Sequence, residues 1–234
     1  MARLSRLCLP GWPHLLVQLG HNHQSVFGDD ADRKLFLELL QGAATTHGVA
    51  LHAYGLRDNE VRLLVTPSAK DSLSLMMQAV GRRYGSSFNR RHGHAGSLWE
   101  GRFRATVVEP ERHLLACMRY VEQPATEVHS GTEAGPNAWS SAAHHLGTRA
   151  DILVSHHLQY WSLGNTPFER EAAYKAISQQ ALTSIEVSMF ANSVKGGWPL
   201  GSPEFLAALS IRAPRRITPL ARGRPRKAAS ICPQ

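Results

Sequence analysis

Short apolar strands alternate with amphipathic helices through the first 124 residues, and this order restricts the fold more than any other feature. The second helix has the clearest period, because Leu73, Met76 and Val80 recur at three- and four-residue spacing. The complete order is β-α-β-β-α-β-α, with strands at 14–19, 49–56, 60–66 and 103–108 and helices that begin near residues 30, 71 and 110. It predicts an α+β fold, a ferredoxin-like sandwich in which helices pack on an antiparallel sheet of four to five strands.

Composition divides the chain into three parts. We expect the alternating segment, residues 1–124, to form the first domain. Residues 125–210 are interpreted as a linker and a helical C-terminal region, because Thr166 to Glu169 has the form of a capping box and Ser202 precedes a helix-starting proline. Residues 211–234 contain four prolines and no apolar period, which predicts a tail that is disordered when unbound.

Basic residues are concentrated in two places on a chain whose net charge is +8. Residues 82–104 carry six arginines against one acidic side chain, and residues 211–234 carry seven basic side chains and no acid. The remainder of the chain is net acidic. Clusters of this kind are typical of proteins that bind a polyanion, and nucleic acid is the commonest such partner.

The same sequence disfavours membrane, secreted and disulfide-rich proteins. No apolar stretch reaches the ~18 residues of a membrane span, and no apolar segment of a secretory signal follows the first two arginines. Cys8, Cys117 and Cys232 are far apart, so neither a disulfide framework nor a zinc knuckle is indicated. We expect a cytoplasmic protein, associated with the bacterial nucleoid.

Five segments, in order, carry a family resemblance. They are MARLSRLCLPGWPH at 1–14, LHAYGLRDNEVRLLVTP at 51–67, GRRYGSSFNRRHGHAGSLWEGRFRA at 81–105, LLACMRYVEQPA at 114–125 and ARGRPRKAA at 221–229. Together they resemble the REP-associated tyrosine transposases, members of the single-tyrosine HUH transposase family. The resemblance implies binding of hairpin or single-stranded DNA from palindromic repeats, and strand cleavage and rejoining through a phosphotyrosine.

The resemblance also implies two catalytic parts. In the family a helical tyrosine attacks a DNA phosphate, and Tyr120 stands at that position. A divalent metal, Mg²⁺ or Mn²⁺, polarises the phosphate and is bound by a His-hydrophobic-His pair on the sheet. In relatives an amide residue one turn after the tyrosine completes the metal shell. Gln123 matches that residue, although the segment is one residue shorter here than in the family.

This chain departs from the family at the histidine pair. Asn59 is followed by Glu60, Val61 and Arg62 where the family has Asn-His-hydrophobic-His. Period-two alternation puts Glu60 and Arg62 on one face of the strand and Val61 on the other. Glu60 can bind a hard cation through oxygen, whereas a guanidinium has no lone pair and stays protonated. We therefore expect Arg62 to pair with Glu60 or with a DNA phosphate, and the metal site to be impaired or absent.

Other histidines are considered as substitutes for the pair. Four further pairs occur, at 21/23, 92/94, 144/145 and 156/157. The last two are adjacent residues, whose side chains point apart on either a helix or a strand. We expect all four pairs to be surface residues.

DNA binding is assigned to the two basic clusters. Arginine neutralises phosphates, and an aromatic ring such as that of Trp99 stacks on unpaired bases. Residues 222–226 resemble an AT-hook, whose Arg-Pro core lies in a narrow minor groove. The residues assigned to DNA are Arg62, Arg82, Arg83, Arg90, Arg91, Trp99, Arg102, Arg104, Arg222, Gly223, Arg224, Pro225 and Arg226.

Three interpretations of function stay open at this point. The first is a transposase-family protein that cleaves and rejoins DNA through Tyr120. The second is a catalytically inactive DNA-binding protein with the same fold, and the third is an RNA-binding module, since RNA shares hairpins and extruded bases. Relatives act as homodimers or monomers, so both states are open as well.

Overall fold

The computed structural model describes residues 5–123 and 138–219, and a four-stranded sheet lies at its centre. The strands are β1 (His14–Leu19), β2 (Val49–Arg57), β3 (Glu60–Pro67) and β4 (Arg104–Val107), in the order β2-β3-β1-β4. Every neighbouring pair is antiparallel. Helix α1 (Asp30–Thr46) joins β1 to β2, and α2 (Ser72–His92) joins β3 to β4. The α+β, ferredoxin-like arrangement predicted from the sequence is confirmed, with four strands.

Local signals explain where the first two helices begin and end. The Asp29 carboxylate accepts a hydrogen bond from the Asp32 amide at 3.0 Å and caps the start of α1. Gly93 follows α2 with φ of 61°, a left-handed conformation that ends helices and suits glycine.

The remaining helices lie after β4. They are α3 (Pro110–Glu122), α4 (Ala142–His145), α5 (Leu158–Trp161), α6 (Pro167–Ser178), α7 (Ser184–Gly196) and α8 (Pro203–Arg212). Thr166 and Glu169 form the predicted capping box at the start of α6. The sequence predicts that this helix continues to about Leu182, but it ends at Ser178, because Thr183 and Glu186 form a second capping box that begins α7.

Apolar side chains are buried on both faces of the sheet. Leu16, Val61 and Leu63 pack with α1 and α2 on one face. Leu15 and Leu64 pack with α3 and the C-terminal helices on the other. Since strand side chains alternate, the two-residue step from Leu64 puts Arg62 and Glu60 on the α3 side. This alternation brings the departures from the family motif under the helix that carries Tyr120.

The C-terminal region is attached to the free edge of β4. The Leu200 amide donates to the Val107 carbonyl at 2.8 Å, and Val108 and Leu200 form a parallel bridge. The Thr106 hydroxyl donates to the Trp198 carbonyl. An edge strand that would present unpaired backbone groups is therefore partly covered by residues 198–200. Within the described ranges no helix is long and apolar enough to cross a membrane.

Candidate functional site

Tyr120 lies on the buried face of α3. Leu114, Cys117 and Val121 share that face at helical spacing, and all three are fully buried. Only 3% of Tyr120 is exposed, and its ring packs against that of Phe190 in α7, with centroids 5.2 Å apart. The tyrosine therefore points toward the sheet and the C-terminal helices, away from bulk solvent.

Arg62 lies directly under Tyr120. Its guanidinium carbon is 4.1 Å from the centre of the Tyr120 ring, and its Nη1 donates to the Tyr120 backbone carbonyl at 3.1 Å. Its Nε donates to the Glu60 carboxylate in a short ion pair. One guanidinium thus contacts a carboxylate, an aromatic face and a helix carbonyl at once. We call Glu60, Arg62, Tyr120 and Gln123 the tyrosine site.

A second arginine supports the same end of α3. Arg57 Nη2 donates to the Gln123 backbone carbonyl at 3.0 Å. The last carbonyls of a helix lack intrahelical partners and carry partial negative charge, so Arg57 and Arg62 both satisfy and neutralise the α3 terminus. Burial, together with the smaller effect of the nearby Arg62 charge, lowers the pKa of Arg57 to about 10. These contacts give Arg62 a structural role that is independent of any ligand.

Burial also disfavours the nucleophilic form of Tyr120. It raises the pKa of the phenol above the ordinary value of 10, and Glu60 acts in the same direction. The Arg62 charge acts in the opposite direction but is a smaller effect than burial. A phenolate at neutral pH is therefore less accessible here than on a free tyrosine.

A divalent metal does not fit the tyrosine site. Arg62 has no lone pair to donate, and its ion pair occupies the Glu60 carboxylate. Gln123 caps α3, and its backbone carbonyl is already bound by Arg57. In the part of the chain that the structure describes, no group of three histidine, cysteine, aspartate or glutamate side chains is arranged to hold a metal ion. The roles assigned to Glu60 and Gln123 as ligands stay predictions that this geometry does not favour.

Outside the tyrosine site, the described arginines assigned to DNA fall into two groups. Arg82, Arg83, Arg90 and Arg102 are exposed and form no ion pair among the described residues. Arg91 binds Asp29 and the buried Asp32, at 2.5 and 2.6 Å, and Arg104 binds Glu100 at 3.2 Å. The AT-hook segment, residues 222–226, lies outside the described residues. The first group is therefore the one best placed to meet a phosphate.

A cleft of about 570 Å³ lies between α2 and the loop that leads into β4. Trp99 forms one wall, while Arg82 and Arg102 lie at the same cleft. The Trp99 ring is half-buried and packs beside Phe36 and Tyr84, and its indole nitrogen is buried without a hydrogen-bond partner. A volume of this size is typical of ligand pockets. We call it the large cleft.

Sequence reasoning missed a buried polar cluster beside the tyrosine site. The Glu122 carboxylate accepts hydrogen bonds from Ser141, His145 and Tyr174, each at 2.6 Å. The expectation that all four extra histidine pairs lie on the surface is wrong for His145, which is completely buried. A signal was present, since Glu122 lies four residues after Met118 on the apolar face of α3, where a carboxylate requires buried partners. The cluster fixes the C-terminal region to the helix of Tyr120.

A family model described as "Transposase IS200 like" matches residues 13–124. That range contains the whole sheet, α1 to α3, and with them Glu60, Arg62 and Tyr120. The domain that these residues form belongs to the IS200-like transposase family. We call it the transposase domain.

Two solved structures are similar to about half of the chain. One is described as the structure of a REP-associated tyrosine transposase bound to a REP hairpin, with 11% identity, a TM-score of 0.42, and coverage of 52% of this chain and 70% of the other. The second is a proposed transposase from Deinococcus radiodurans R1, with 25% identity, a TM-score of 0.34, and coverage of 50% and 93%. No curated protein matches the chain. Because both TM-scores are below 0.5, the fold is assigned from the strand order and helices of this chain and not from these two structures.

Proposed function

We propose that this protein binds hairpin or single-stranded DNA of palindromic repeats and that strand cleavage through Tyr120 is weak or lost. Membership of the transposase family and the exposed arginines beside Trp99 support DNA as the partner. The loss of cleavage rests on one observation, the position of Arg62. Its guanidinium is held by Glu60 and by the Tyr120 carbonyl in the place of a metal-binding histidine.

Two physical effects then slow the reaction. A phosphodiester resists an anionic nucleophile until a cation neutralises it, and a bound metal contributes several kcal/mol of that stabilisation. Each ~1.4 kcal/mol corresponds to a tenfold change in rate. Arg62 carries a positive charge, but this charge is already paired with the Glu60 carboxylate. In addition, burial raises the pKa of the Tyr120 phenol. Both the electrophile and the nucleophile are therefore less activated than in a metal-dependent relative.

A second candidate is cleavage assisted by Arg62 itself. The observation in its favour is the contact between the guanidinium and the Tyr120 ring at 4.1 Å. Arginines stabilise transferring phosphoryl groups in other enzymes. For this role Arg62 has to exchange Glu60 for a phosphate, which would leave the Glu60 carboxylate unpaired.

The three parts of the chain receive separate roles in the proposal. Residues 1–124 supply the DNA-binding fold, and residues 125–210 brace α3 through contacts such as that between Tyr174 and Glu122. The basic tail at 211–234, with its AT-hook-like segment, adds minor-groove contacts and keeps the protein on the nucleoid.

The proposal is tested by restoring the family's ligands. The Glu60→His, Arg62→His double variant and the parent are incubated with a hairpin oligonucleotide and Mg²⁺ or Mn²⁺, and covalent protein–DNA adducts are measured beside equilibrium binding. We expect both proteins to bind DNA, the parent to form little adduct, and the double variant to form at least tenfold more. Tyr120→Phe in each background should remove any adduct.

Two outcomes would overturn the proposal in different ways. A parent that does not bind the oligonucleotide contradicts the DNA partner. A parent whose Tyr120-dependent adduct forms as fast as that of the double variant contradicts the loss of cleavage and favours the role of Arg62 in catalysis. Thermal unfolding of each variant shows whether loss of the Arg62 contacts to α3 has damaged the fold.

A further inference from the structure

A second, smaller cleft of about 150 Å³ lies where β4 meets the C-terminal region. It is bounded by the N-terminal segment, by β4 and by the turn at the end of α7. Five basic side chains line it, and none of the described residues that line it is acidic. They are Arg6, Arg102, Arg104, Lys195 and Arg215. We call it the small cleft.

The small cleft is built by the attachment of the C-terminal region to β4. Arg215 Nη2 donates to the Gly197 carbonyl at 2.6 Å, and the Arg215 guanidinium lies 5.7 Å from the centre of the Trp198 ring. Gly197 has φ of 67°, and a Cβ there would lie 3.3 Å from Arg215 Nη2. The turn therefore suits glycine both by its conformation and by the close approach of the arginine. This contact joins a residue from beyond α8 to the turn at the end of α7, and a Cβ at Gly197 would lie 3.7 Å from the Ala105 carbonyl oxygen of β4.

Three of the five cations that line the small cleft, Arg102, Lys195 and Arg215, have no acidic partner among the described residues. Arg104 is paired with Glu100, but Lys195 and Arg102 are exposed and no ion pair is found for either within the described ranges. Arg215 Nε is buried without a hydrogen-bond partner. Burial lowers the pKa of Arg215, and the neighbouring Arg216 charge lowers it further. Like charges this close repel one another, so an anion bound between them would relieve a cost present in the free protein.

The two clefts adjoin. Arg6, Arg102 and Phe103 line both, so a bound strand that occupies one can enter the other without leaving the protein surface. The Arg6 guanidinium lies 3.7 Å above the Phe103 ring and its Nε donates to the Phe103 carbonyl, which fixes the wall between the clefts. A water molecule takes about 30 Å³ of liquid volume. The small cleft, at about 150 Å³, therefore has room for a phosphate group.

We propose that the small cleft seats a backbone phosphate of a DNA strand whose neighbouring nucleotides occupy the large cleft. This proposal rests on the proposed DNA binding. It extends the DNA-binding surface to Lys195, which lies outside both basic clusters, and gives Arg215 of the C-terminal cluster a defined position in that surface. Phosphate contacts position a strand without reading its sequence. The small cleft therefore contributes affinity and strand path rather than base specificity.

The test compares two double variants of the full chain that lose the same charge. Lys195→Gln with Arg215→Gln changes the small cleft, and Lys175→Gln with Arg149→Gln changes exposed side chains outside both clefts and outside the two basic clusters. Affinity for a single-stranded oligonucleotide is measured over a series of salt concentrations. For single strands the logarithmic salt slope changes by about 0.7 per phosphate contact. We expect the small-cleft variant to bind about tenfold more weakly at low salt with a shallower slope, and the control variant to change much less.

Further measurements show whether a variant has failed to fold and whether the anion bound in the small cleft is DNA or free phosphate. Lys195→Gln alone removes an exposed side chain and leaves the contact between Arg215 and Gly197 in place, so it serves if the double variant fails to fold. Equal affinities and slopes for the small-cleft and control variants would overturn the proposal while leaving DNA binding intact. Inorganic phosphate that binds the parent but not the small-cleft variant, without any difference in DNA affinity, would assign the cleft to a free anion instead and also overturn it. A parent that binds no DNA would contradict the proposed function itself.

Discussion

The arginines of the tyrosine site and those of the two clefts have opposite surroundings. Arg62 is 8% exposed and is bound to Glu60 and to the end of α3. Arg82, Arg102 and Lys195 are exposed and lie at clefts where acids are few. A buried charge has to be paired inside the protein, because desolvation is costly. An exposed cation without a partner is available to a ligand, so the two regions separate arginines that support the fold from arginines that are available to a ligand.

The largest expected effect comes from reversing charges at the large cleft. Arg82→Glu with Arg102→Glu changes the local charge by four units, each worth about 1 kcal/mol at contact distance in a water-like dielectric. DNA affinity at low salt should therefore fall roughly a thousandfold. Arg82→Gln and Arg91→Gln form the matched pair, because each removes one charge but Arg91 is already bound to Asp29 and Asp32.

Fluorescence anisotropy with a labelled hairpin measures the affinity of all three variants. If Arg91→Gln weakens binding as much as Arg82→Gln, the distinction between paired and available arginines is wrong. If Arg91→Gln lowers the free energy of unfolding but leaves DNA affinity unchanged, this distinction is strengthened.

The next effect concerns the stability of the tyrosine site. Glu60→Gln leaves the Arg62 charge buried without its carboxylate, and breaking such a pair costs about 3 kcal/mol of the free energy of unfolding. Replacing both residues, as Glu60→Leu with Arg62→Leu, should cost far less, because no unpaired charge remains. Urea denaturation of the three proteins measures this difference. Similar stability for Glu60→Gln and the parent would mean that Arg62 is better solvated than its burial suggests.

The smallest effect over the physiological range is that of pH. Arginine charges do not titrate near neutrality, so DNA affinity should be constant from pH 8 to 6.5. The fold should respond below that, because burial lowers the pKa of His14 and of His52 to about 4 from an ordinary 6.5. The unfolded chain then binds protons that the folded chain does not. The contribution of these histidines to the free energy of unfolding is complete above pH 6.5 and is lost as the pH drops toward 4. For each histidine the loss is up to about 1.4 kcal/mol for every unit by which its pKa is lowered.

Both histidines use their two ring nitrogens when neutral. In His52 one nitrogen donates to the Ser155 carbonyl and the other accepts from the Thr66 hydroxyl, at 2.7 and 2.8 Å. Unfolding free energies at pH 7 and 5 should therefore differ less in His52→Gln than in the parent. The exposed His21→Gln is the control, and it should keep the full difference. An equal pH response in all three proteins would contradict the assignment to buried imidazoles.

Local signals in the sequence predicted much of the fold and part of the site. The start of α1 near residue 30, the Thr166 capping box and the two-residue alternation that pairs Glu60 with Arg62 all depend on residues within four positions of one another. Contacts between distant residues were not accessible in the same way. The burial of His145 against Glu122 joins residues 23 positions apart, and no periodicity encodes the meeting of their helices.

The sequence by itself determined the order of strands and helices, the face that carries Glu60 and Arg62, and the clustering of positive charge. Only the tertiary structure decided which charged side chains are paired within the protein and which are exposed to solvent. Arg62 reaches the Tyr120 carbonyl across 58 residues, and Arg215 reaches the turn at Gly197, next to β4, across 18. Periodicity and capping act within one or two helical turns, whereas the pairing or exposure of a charge depends on which elements pack together. For this reason arginines that look alike in the sequence divide into supports of α3 and candidates for binding DNA.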